Sequence, residues 1–195
     1  MKRYFIILSL ALVPLFPSGG YDHGTSTGKS LLELDFTWNP FNYFNQGQSY
    51  FILGYGITKK IDFHAYYSIT DKFNKNYYAG VFYQFIDSKK IDIATAVGIR
   101  AFSHSSKTHL FFPQILYTIK LTDDINLGGS IVNIKDSNSI ASNEGIASDI
   151  FVSKNLYDSD NIKIDFSIGA FSPALWEPNT GNWHATYSFD IKILN

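Results

Sequence analysis

The feature that most constrains this chain is a strict alternation of apolar and polar side chains, which recurs along almost the whole sequence after Gly28. Trp183–Ile193 has it most clearly, because every second residue there is apolar and those between are polar or charged. Successive side chains of a β-strand point to opposite faces, so a period of two predicts strands whose faces meet different surroundings. No convincing helical period of 3.6 is found, and we therefore predict an all-β fold.

This period predicts about ten strands, with eight and twelve as the alternatives. Each is near the ~9–11 residues with which a tilted strand crosses a bilayer. The predicted segments are Lys29–Asn39, Gln48–Thr58, Ile61–Ile69, Tyr77–Ile86, Ile91–Phe102, Thr108–Lys120, Ile125–Ile134, Glu144–Lys154, Ile162–Phe171 and Trp183–Ile193.

The connectors between these segments alternate in kind. Short, charged turns such as Thr58–Lys60 and Thr122–Asp124 are followed by longer stretches rich in Asn, Ser, Pro and Gly, such as Asn39–Gly47 and Ser172–Asn182. Outer-membrane barrels have short periplasmic turns and longer external loops. The pattern thus predicts a single closed, antiparallel, up-and-down transmembrane β-barrel, with both termini in the periplasm because the strand number is even.

Composition agrees with a barrel in lipid and excludes several other classes of protein. Charged residues make up 17% of the chain, below a usual ~25%, while aromatic residues also reach 17%. The net charge is −1 and no basic stretch is present, which argues against a nucleic-acid partner. The absence of cysteine excludes a thiolate nucleophile, a cysteine zinc site and disulfides. We predict no cofactor.

The N-terminus has the pattern of an export signal. Lys2 and Arg3 are followed by the apolar stretch Tyr4–Val13, and Ser18 and Gly20 are the small residues that a signal peptidase accepts. The apolar stretch is shorter than the ~20 residues that span a bilayer. We predict that residues 1–20 are a cleaved signal peptide and that residues 21–195 form the outer-membrane barrel.

Two stretches carry a resemblance to known barrels. Gly56–Phe63, with the sequence GITKKIDF, resembles a strand–turn–strand motif of several bacterial outer-membrane barrel families, among them the family associated with phenol degradation. Tyr187–Asn195 is similar to the C-terminal assembly signal of such barrels, although it ends on Leu194-Asn195 instead of an aromatic residue. The resemblance implies a Gram-negative outer membrane, contact with lipid and lipopolysaccharide, and recognition of the last strand by the barrel-assembly machinery. It brings no catalytic residue.

The polar faces of the strands supply the candidate lumen residues. Charged rings set selectivity in pores, so these groups are interpreted as a charge filter for a passing solute. The alternative is that acids and lysines satisfy one another in a narrow, water-bearing interior. The candidates are Glu33, Asp35, Asp62, His64, Tyr66, Asp92, Arg100, Gln114, Asp165, His184 and Asp190. The histidines lack metal-ligand spacing, so we predict no metal site.

Arg100 is distinguished by being the only arginine left once Arg3 leaves with the signal. The alternation places it on the inward face with small residues, Ala94, Ala96 and Gly98. Its planar fork suits a carboxylate or phosphate of a solute. Pairing with an acid of the lumen is the alternative.

Pro113 is unexpected at its position, because it falls inside a predicted strand. A proline there removes a backbone hydrogen-bond donor that lipid cannot replace. Either a bulge lies there or that part of the strand stands above the membrane.

Aromatic side chains near strand ends are predicted to form interfacial belts. They are Trp38, Phe41, Tyr43, Phe44, Tyr50, Tyr77, Phe111, Phe112, Trp176 and Trp183.

The predicted function follows from strand number. Barrels of about eight strands are filled by side chains and those of sixteen or more leave a channel, so ten predicts a narrow or plugged lumen. The leading hypothesis is passive passage or binding of a small solute. The alternatives are a surface-interaction barrel that acts through its loops and a lipid-modifying enzyme, although no catalytic set is found and a non-enzyme is expected.

Overall fold

A computed structural model of the protein describes residues 23–38, 50–69, 75–103, 105–136, 144–172 and 183–194. The predicted signal segment 1–20 and most of the predicted long loops lie outside the described residues. Within the described ranges there are ten strands: β1 (Leu32–Trp38), β2 (Tyr50–Gly56), β3 (Ile61–Ile69), β4 (Lys75–Asp87), β5 (Ile91–Phe102), β6 (Ser105–Lys120), β7 (Ile125–Asp136), β8 (Glu144–Asp158), β9 (Ile162–Ser172) and β10 (His184–Ile193).

These strands form one closed antiparallel barrel in which each pairs with its neighbours in sequence. The barrel closes where β1 pairs with β10, so that Leu32 lies opposite Ile193 on one side and Tyr55 of β2 on the other. The prediction of a closed up-and-down barrel of about ten strands is confirmed. The described ranges contain no helix with the length and apolar character needed to cross a membrane.

The two faces of the wall differ as the alternation predicts. On β5, Ala94 and Arg100 point inward and are buried, whereas Val97 and Ile99 point outward and are 44% and 56% exposed. Large apolar side chains are exposed in the same way around the barrel, including Phe36, Tyr83, Ile131, Val152 and Phe189. Soluble monomers rarely expose so much contiguous apolar surface, so hydrocarbon is the solvent that suits this face.

Part of the inner face is apolar, which a simple polar lumen does not predict. Phe82, Ala94, Ala96 and Leu116 form one buried cluster inside the wall. A second contains Val132, Ile134 and Ala147, with Phe111 packed against it. Barrels of about this size fill much of their interior with side chains.

Pro113 lies in a β-bulge, which decides between the two alternatives left by the sequence. Register on β6 shifts between Phe111 and Gln114, so Phe112 and Pro113 together oppose a single residue of each neighbouring strand. Both are exposed, and the Phe112–Pro113 peptide bond is cis. Because of the extra residue, Phe111 before the bulge and Gln114 after it both face inward.

Several strand ends differ from the prediction. β1 begins at Leu32 and not at Lys29, because Gly28 and Ser30 adopt positive φ angles of 95° and 64° in a turn. β8 continues through the predicted turn to Asp158, with a register shift between Asn155 and Tyr157. The predicted loop 103–107 is also too long, since β6 already begins at Ser105. Local backbone hydrogen bonds decide these ends, and periodicity does not report them.

Candidate functional site

The candidate site is the lumen, whose two ends differ in charge. We call the end with the short connections 57–60, 88–90, 121–124 and 159–161 the turn end, and the opposite end the loop end. Among the described residues, three lysine–carboxylate pairs lie on the inner wall at the turn end. The contacts are Lys120–Asp92 at 2.9 Å, Lys163–Asp165 at 3.3 Å and Lys192–Glu33 at 4.0 Å.

A cavity of about 510 Å³ lies at this end, beside the paired charges. Thr118 and Lys120 line it from β6, Phe151 from β8, and Asp190 and Lys192 from β10. Its wall combines both signs of charge with one aromatic ring. The arrangement suits a water-bearing vestibule whose charges compensate one another.

At the wall of the vestibule, two predicted lumen acids lie side by side on neighbouring strands. Asp35 of β1 and Asp190 of β10 are direct partners in the register. The Ser188 hydroxyl lies 2.6 Å from Asp35 Oδ1 and 2.8 Å from Asp190 Oδ1, and Ser167 Oγ lies 3.2 Å from Asp190 Oδ2. A serine hydroxyl has one proton, so Ser188 donates to one acid at a time while it bridges the pair.

Arg100 lies near the loop end of β5 in a different environment. Two rings lie close to its guanidinium, with Cζ 5.2 Å from the centre of Phe102 and 5.1 Å from that of Phe111. One terminal nitrogen lies 2.8 Å from His109 Nδ1. Because arginine can only donate, His109 must accept through Nδ1, which makes this imidazole neutral. We call Arg100, Phe102, His109 and Phe111 the Arg100 cluster.

Within the described ranges, Arg100 forms no ion pair with an aspartate or glutamate, and its Nε has no hydrogen-bond partner there. Arg100 is buried all the same, with only 9% of its surface exposed. The two rings attract the guanidinium by cation–π interaction, and no described carboxylate pairs with it.

An aromatic row leads to this cluster across the inner wall. Tyr50 contacts Tyr66 with ring centres 5.0 Å apart, Tyr66 stacks on Tyr78 at 5.0 Å, and Tyr78 meets Phe111 at 5.4 Å. Tyr78 crosses β5 only because Gly98 lacks a side chain, since a Cβ there would lie 2.3 Å from the tyrosine ring. Tyr50 and Phe111 therefore face the lumen, and the prediction that they belong to interfacial belts is wrong.

The remaining predicted site residues lie on the same inner wall. His64 packs against Phe82 with ring centres 5.0 Å apart, and its Nε2 is 3.8 Å from Asp62. Gln114 donates to the Tyr78 hydroxyl at 3.2 Å. The His184 side chain lies outside the described part of the chain. The described residues include no group of three or more His, Cys, Asp and Glu side chains placed to hold a metal ion.

Sequence reasoning missed the chain segment that lies inside the turn end. Residues 23–28, here called the N-terminal plug, enter the lumen, where Thr27 is fully buried. His23 Nε2 lies 3.3 Å from Glu33. Burial alone would lower the pKa of His23, but the attraction of Glu33 and a hydrogen bond that His23 donates to it raise the pKa above its ordinary value. The run Thr25-Ser26-Thr27 ahead of the first strand is the signal that could have indicated such a segment.

A closed antiparallel barrel with an apolar outer face and a partly polar inner face defines a transmembrane β-barrel of the outer-membrane type. No protein-family model and no curated protein matches the chain.

Solved outer-membrane barrels are similar to it at low identity. One is the KdgM porin in complex with disordered oligogalacturonate, with a TM-score of 0.46, 10% identity, and coverage of 85% of this chain and 99% of that chain. A bacterial polysaccharide outer membrane secretin gives a TM-score of 0.42 and 8% identity over 75% of this chain and 56% of that one. OprD from Pseudomonas aeruginosa gives a TM-score of 0.27 and 12% identity, and the match covers 93% of this chain and 71% of that one. The assignment of the fold rests on the strand pairing.

Proposed function

We propose that this chain is an outer-membrane barrel that binds a small anionic solute in its lumen and lets it pass. The observation that carries the proposal is the environment of Arg100. This buried arginine has no acidic partner among the described residues, whereas Lys120 and Lys163 at the turn end each lie beside an aspartate. The loop end therefore holds a fixed positive charge that forms no ion pair with an acid among the described residues.

A charge of this kind favours a solute that brings the missing negative charge. In a narrow lumen with low-dielectric walls, the field of one cation is focused, which raises the local concentration of anions. The guanidinium fork suits a planar carboxylate or a phosphate. The two flanking rings fix its position, so the site is formed before the solute arrives.

The proposal also includes a location and an orientation. The exposed apolar band fits contact with lipid and lipopolysaccharide, and β10 is the strand that the barrel-assembly machinery would recognise. Removal of residues 1–20 would leave both termini at the turn end, which we place in the periplasm. This orientation exposes the loop end, and thus the Arg100 side of the lumen, to the external medium.

Replacing Arg100 tests the solute class. In planar bilayers, Arg100→Gln is expected to shift the reversal potential in a salt gradient toward cation preference by about fivefold in the permeability ratio, since about 1 kcal/mol of lost anion attraction has that effect. Arg100→Lys keeps the charge and should keep most of the selectivity. Thermal unfolding of Arg100→Gln should change little, because no acid among the described residues loses an ion-pair partner.

The control is Lys75→Gln, which removes a positive charge from an exposed side chain at the loop end of β4. It should leave the reversal potential nearly unchanged. Unaltered selectivity of Arg100→Gln together with a lowered melting temperature would instead assign Arg100 a structural role. Absence of conductance in every variant would contradict passage and favour a surface-interaction barrel.

Orientation is tested by labelling intact cells, using the fact that the chain has no cysteine. Single cysteines at Lys59, Ser88 or Asp123, on the turn-end connections, are expected to resist an impermeant thiol reagent. A cysteine at Ser105, where β6 begins at the loop end, should be labelled. Reversed labelling would show the opposite orientation, and equal labelling of both ends would contradict a spanning barrel.

A further inference from the structure

The N-terminal plug is seated against the inner wall by an extensive set of polar contacts. The Gly24 amide donates to Thr118 Oγ1 of β6 at 3.0 Å, and the Ser26 amide donates to Gln84 Oε1 of β4 at 2.9 Å. Lys192 of β10 donates to the Ser26 carbonyl at 3.2 Å. Opposite walls of the barrel are thus joined through this short segment.

Wall carboxylates supply the other half of the seat. Thr25 Oγ1 donates to Asp92 at 2.8 Å, and the Thr27 amide donates to Asp62 at 2.7 Å. Thr27 Oγ1 also donates to Glu33 at 3.0 Å. Asp62 and Asp92 are fully buried. These acids, predicted to line the lumen, are therefore covered by the plug.

The plug has a polar sequence, and its described contacts with the wall are polar. Its sequence is His-Gly-Thr-Ser-Thr-Gly, and all of its wall contacts described above are hydrogen bonds or an ion pair. Water can replace such contacts one by one in a hydrated lumen. The strands, in contrast, are held by continuous ladders of backbone hydrogen bonds.

The structure also provides a hinge and free space. Gly28 has a φ of 95°, and its carbonyl oxygen lies so close to Gly56 that a Cβ there would be 1.7 Å away. Positive φ at glycine costs little, which makes this the point where the chain turns from β1 into the lumen. The cavity of about 510 Å³ is lined by His23 and Thr25, so it adjoins the plug directly.

We propose that residues 23–28 are a displaceable plug that closes the turn end of the lumen, and that undocking of this segment into the adjoining vestibule opens the path for the solute. This inference rests on the proposed function for the solute path. The docked and released positions differ in whether Asp62, Asp92 and Glu33 are bonded to the plug or hydrated.

Gly24→Ala tests the plug without altering the wall. A Cβ at Gly24 would lie 2.6 Å from the Asp92 carbonyl oxygen and 2.8 Å from Tyr117 Cα, both main-chain atoms that cannot move aside cheaply. We expect the open-to-closed ratio of single channels to rise about tenfold or more, the equivalent of ~1.4 kcal/mol lost from the docked state. A barrel from which only residues 23–27 are deleted should be open most of the time.

The matched control is Lys29→Gln, because Lys29 is exposed just outside the plug. It should gate as the wild type does. Heat-modifiable mobility on gels establishes that each variant is folded, and the deletion variant replaces Gly24→Ala if the latter fails to assemble. Equal open fractions in wild type, Gly24→Ala and the deletion variant would overturn the plug while leaving the proposed function intact.

A second readout does not depend on conductance. Thr27 is fully buried, so a cysteine at this position should react slowly with a maleimide added to the purified protein. In the Gly24→Ala background, the reaction should become at least about tenfold faster if the docked state loses ~1.4 kcal/mol. Faster labelling without conductance would support plug release and contradict solute passage, whereas unchanged labelling would contradict plug release.

Discussion

Val97→Arg is expected to prevent assembly of the barrel into lipid or to lower its stability by about 2–4 kcal/mol, the cost of a cationic side chain near the bilayer midplane. Val97 lies in the middle of β5, points outward and is 44% exposed. Its register partner on β4, Val81, is 47% exposed on the same face. An arginine side chain at this outward position would have to lie in hydrocarbon, with no described carboxylate to pair with it. The measurement is folding into vesicles, followed by gel mobility and urea titration.

Asn126→Arg is the matched control, since it introduces the same charge on the inward side of β7. Asn126 lines the vestibule at the turn end, where water and acids can solvate a guanidinium. Folding of this variant should stay close to wild type. Equal losses in the two variants would show that the outward and inward faces have been assigned to the wrong solvents.

Sequence alone predicted the barrel well because a transmembrane wall has two different solvents along its whole length. Each residue of β5 therefore reports its face, and the inward set containing Asp92, Ala94 and Arg100 could be read directly. Strand ends were predicted less well, since turns such as Gly28–Ser30 depend on backbone conformation. Likewise, the polar residues that follow Lys154 predicted a turn, but β8 continues through them to Asp158.

The partners of Arg100 could not be predicted, because they depend on register between strands and on a bulge. Gly98 pairs with Phe111 and Ala96 with Gln114, so β6 gains an extra residue between them. Pro113 suggested a bulge as one of two alternatives, but the sequence did not say which neighbours would then face inward. His109 and Phe111 therefore went unrecognised as contacts of Arg100.

The N-terminal plug was missed for a different physical reason. Its contacts join residues far apart in sequence, such as Gly24 with Thr118, and such contacts leave no period in either segment. Polar side chains ahead of a first strand are usually a solvated leader. Besides the polar run Thr25–Thr27, the inward position of Asp62 and Asp92, which need partners once buried, could have suggested that a segment enters the lumen to meet them.

Gly169→Ala is expected to destabilise the barrel by about 1–3 kcal/mol, the usual cost of overpacking. Gly169 of β9 lies opposite Phe151 of β8 in the register. A Cβ at Gly169 would come 2.2 Å from the Ile150 carbonyl oxygen and 2.4 Å from Phe151 Cα. These are main-chain atoms within the β8–β9 ladder, so relief requires the two strands to separate.

The chain offers a matched control on the other side of the same ring. Gly128 of β7 is the second register partner of Phe151, and a Cβ there would meet the far end of the phenyl ring, Cζ, at 2.3 Å. Because Phe151 borders the vestibule, its ring can rotate away, and Gly128→Ala should cost less than Gly169→Ala. Thermal unfolding in detergent compares the two. A loss at Gly128 equal to or larger than that at Gly169 would mean that the ring is held as rigidly as the backbone, and that the vestibule has no free volume on this side.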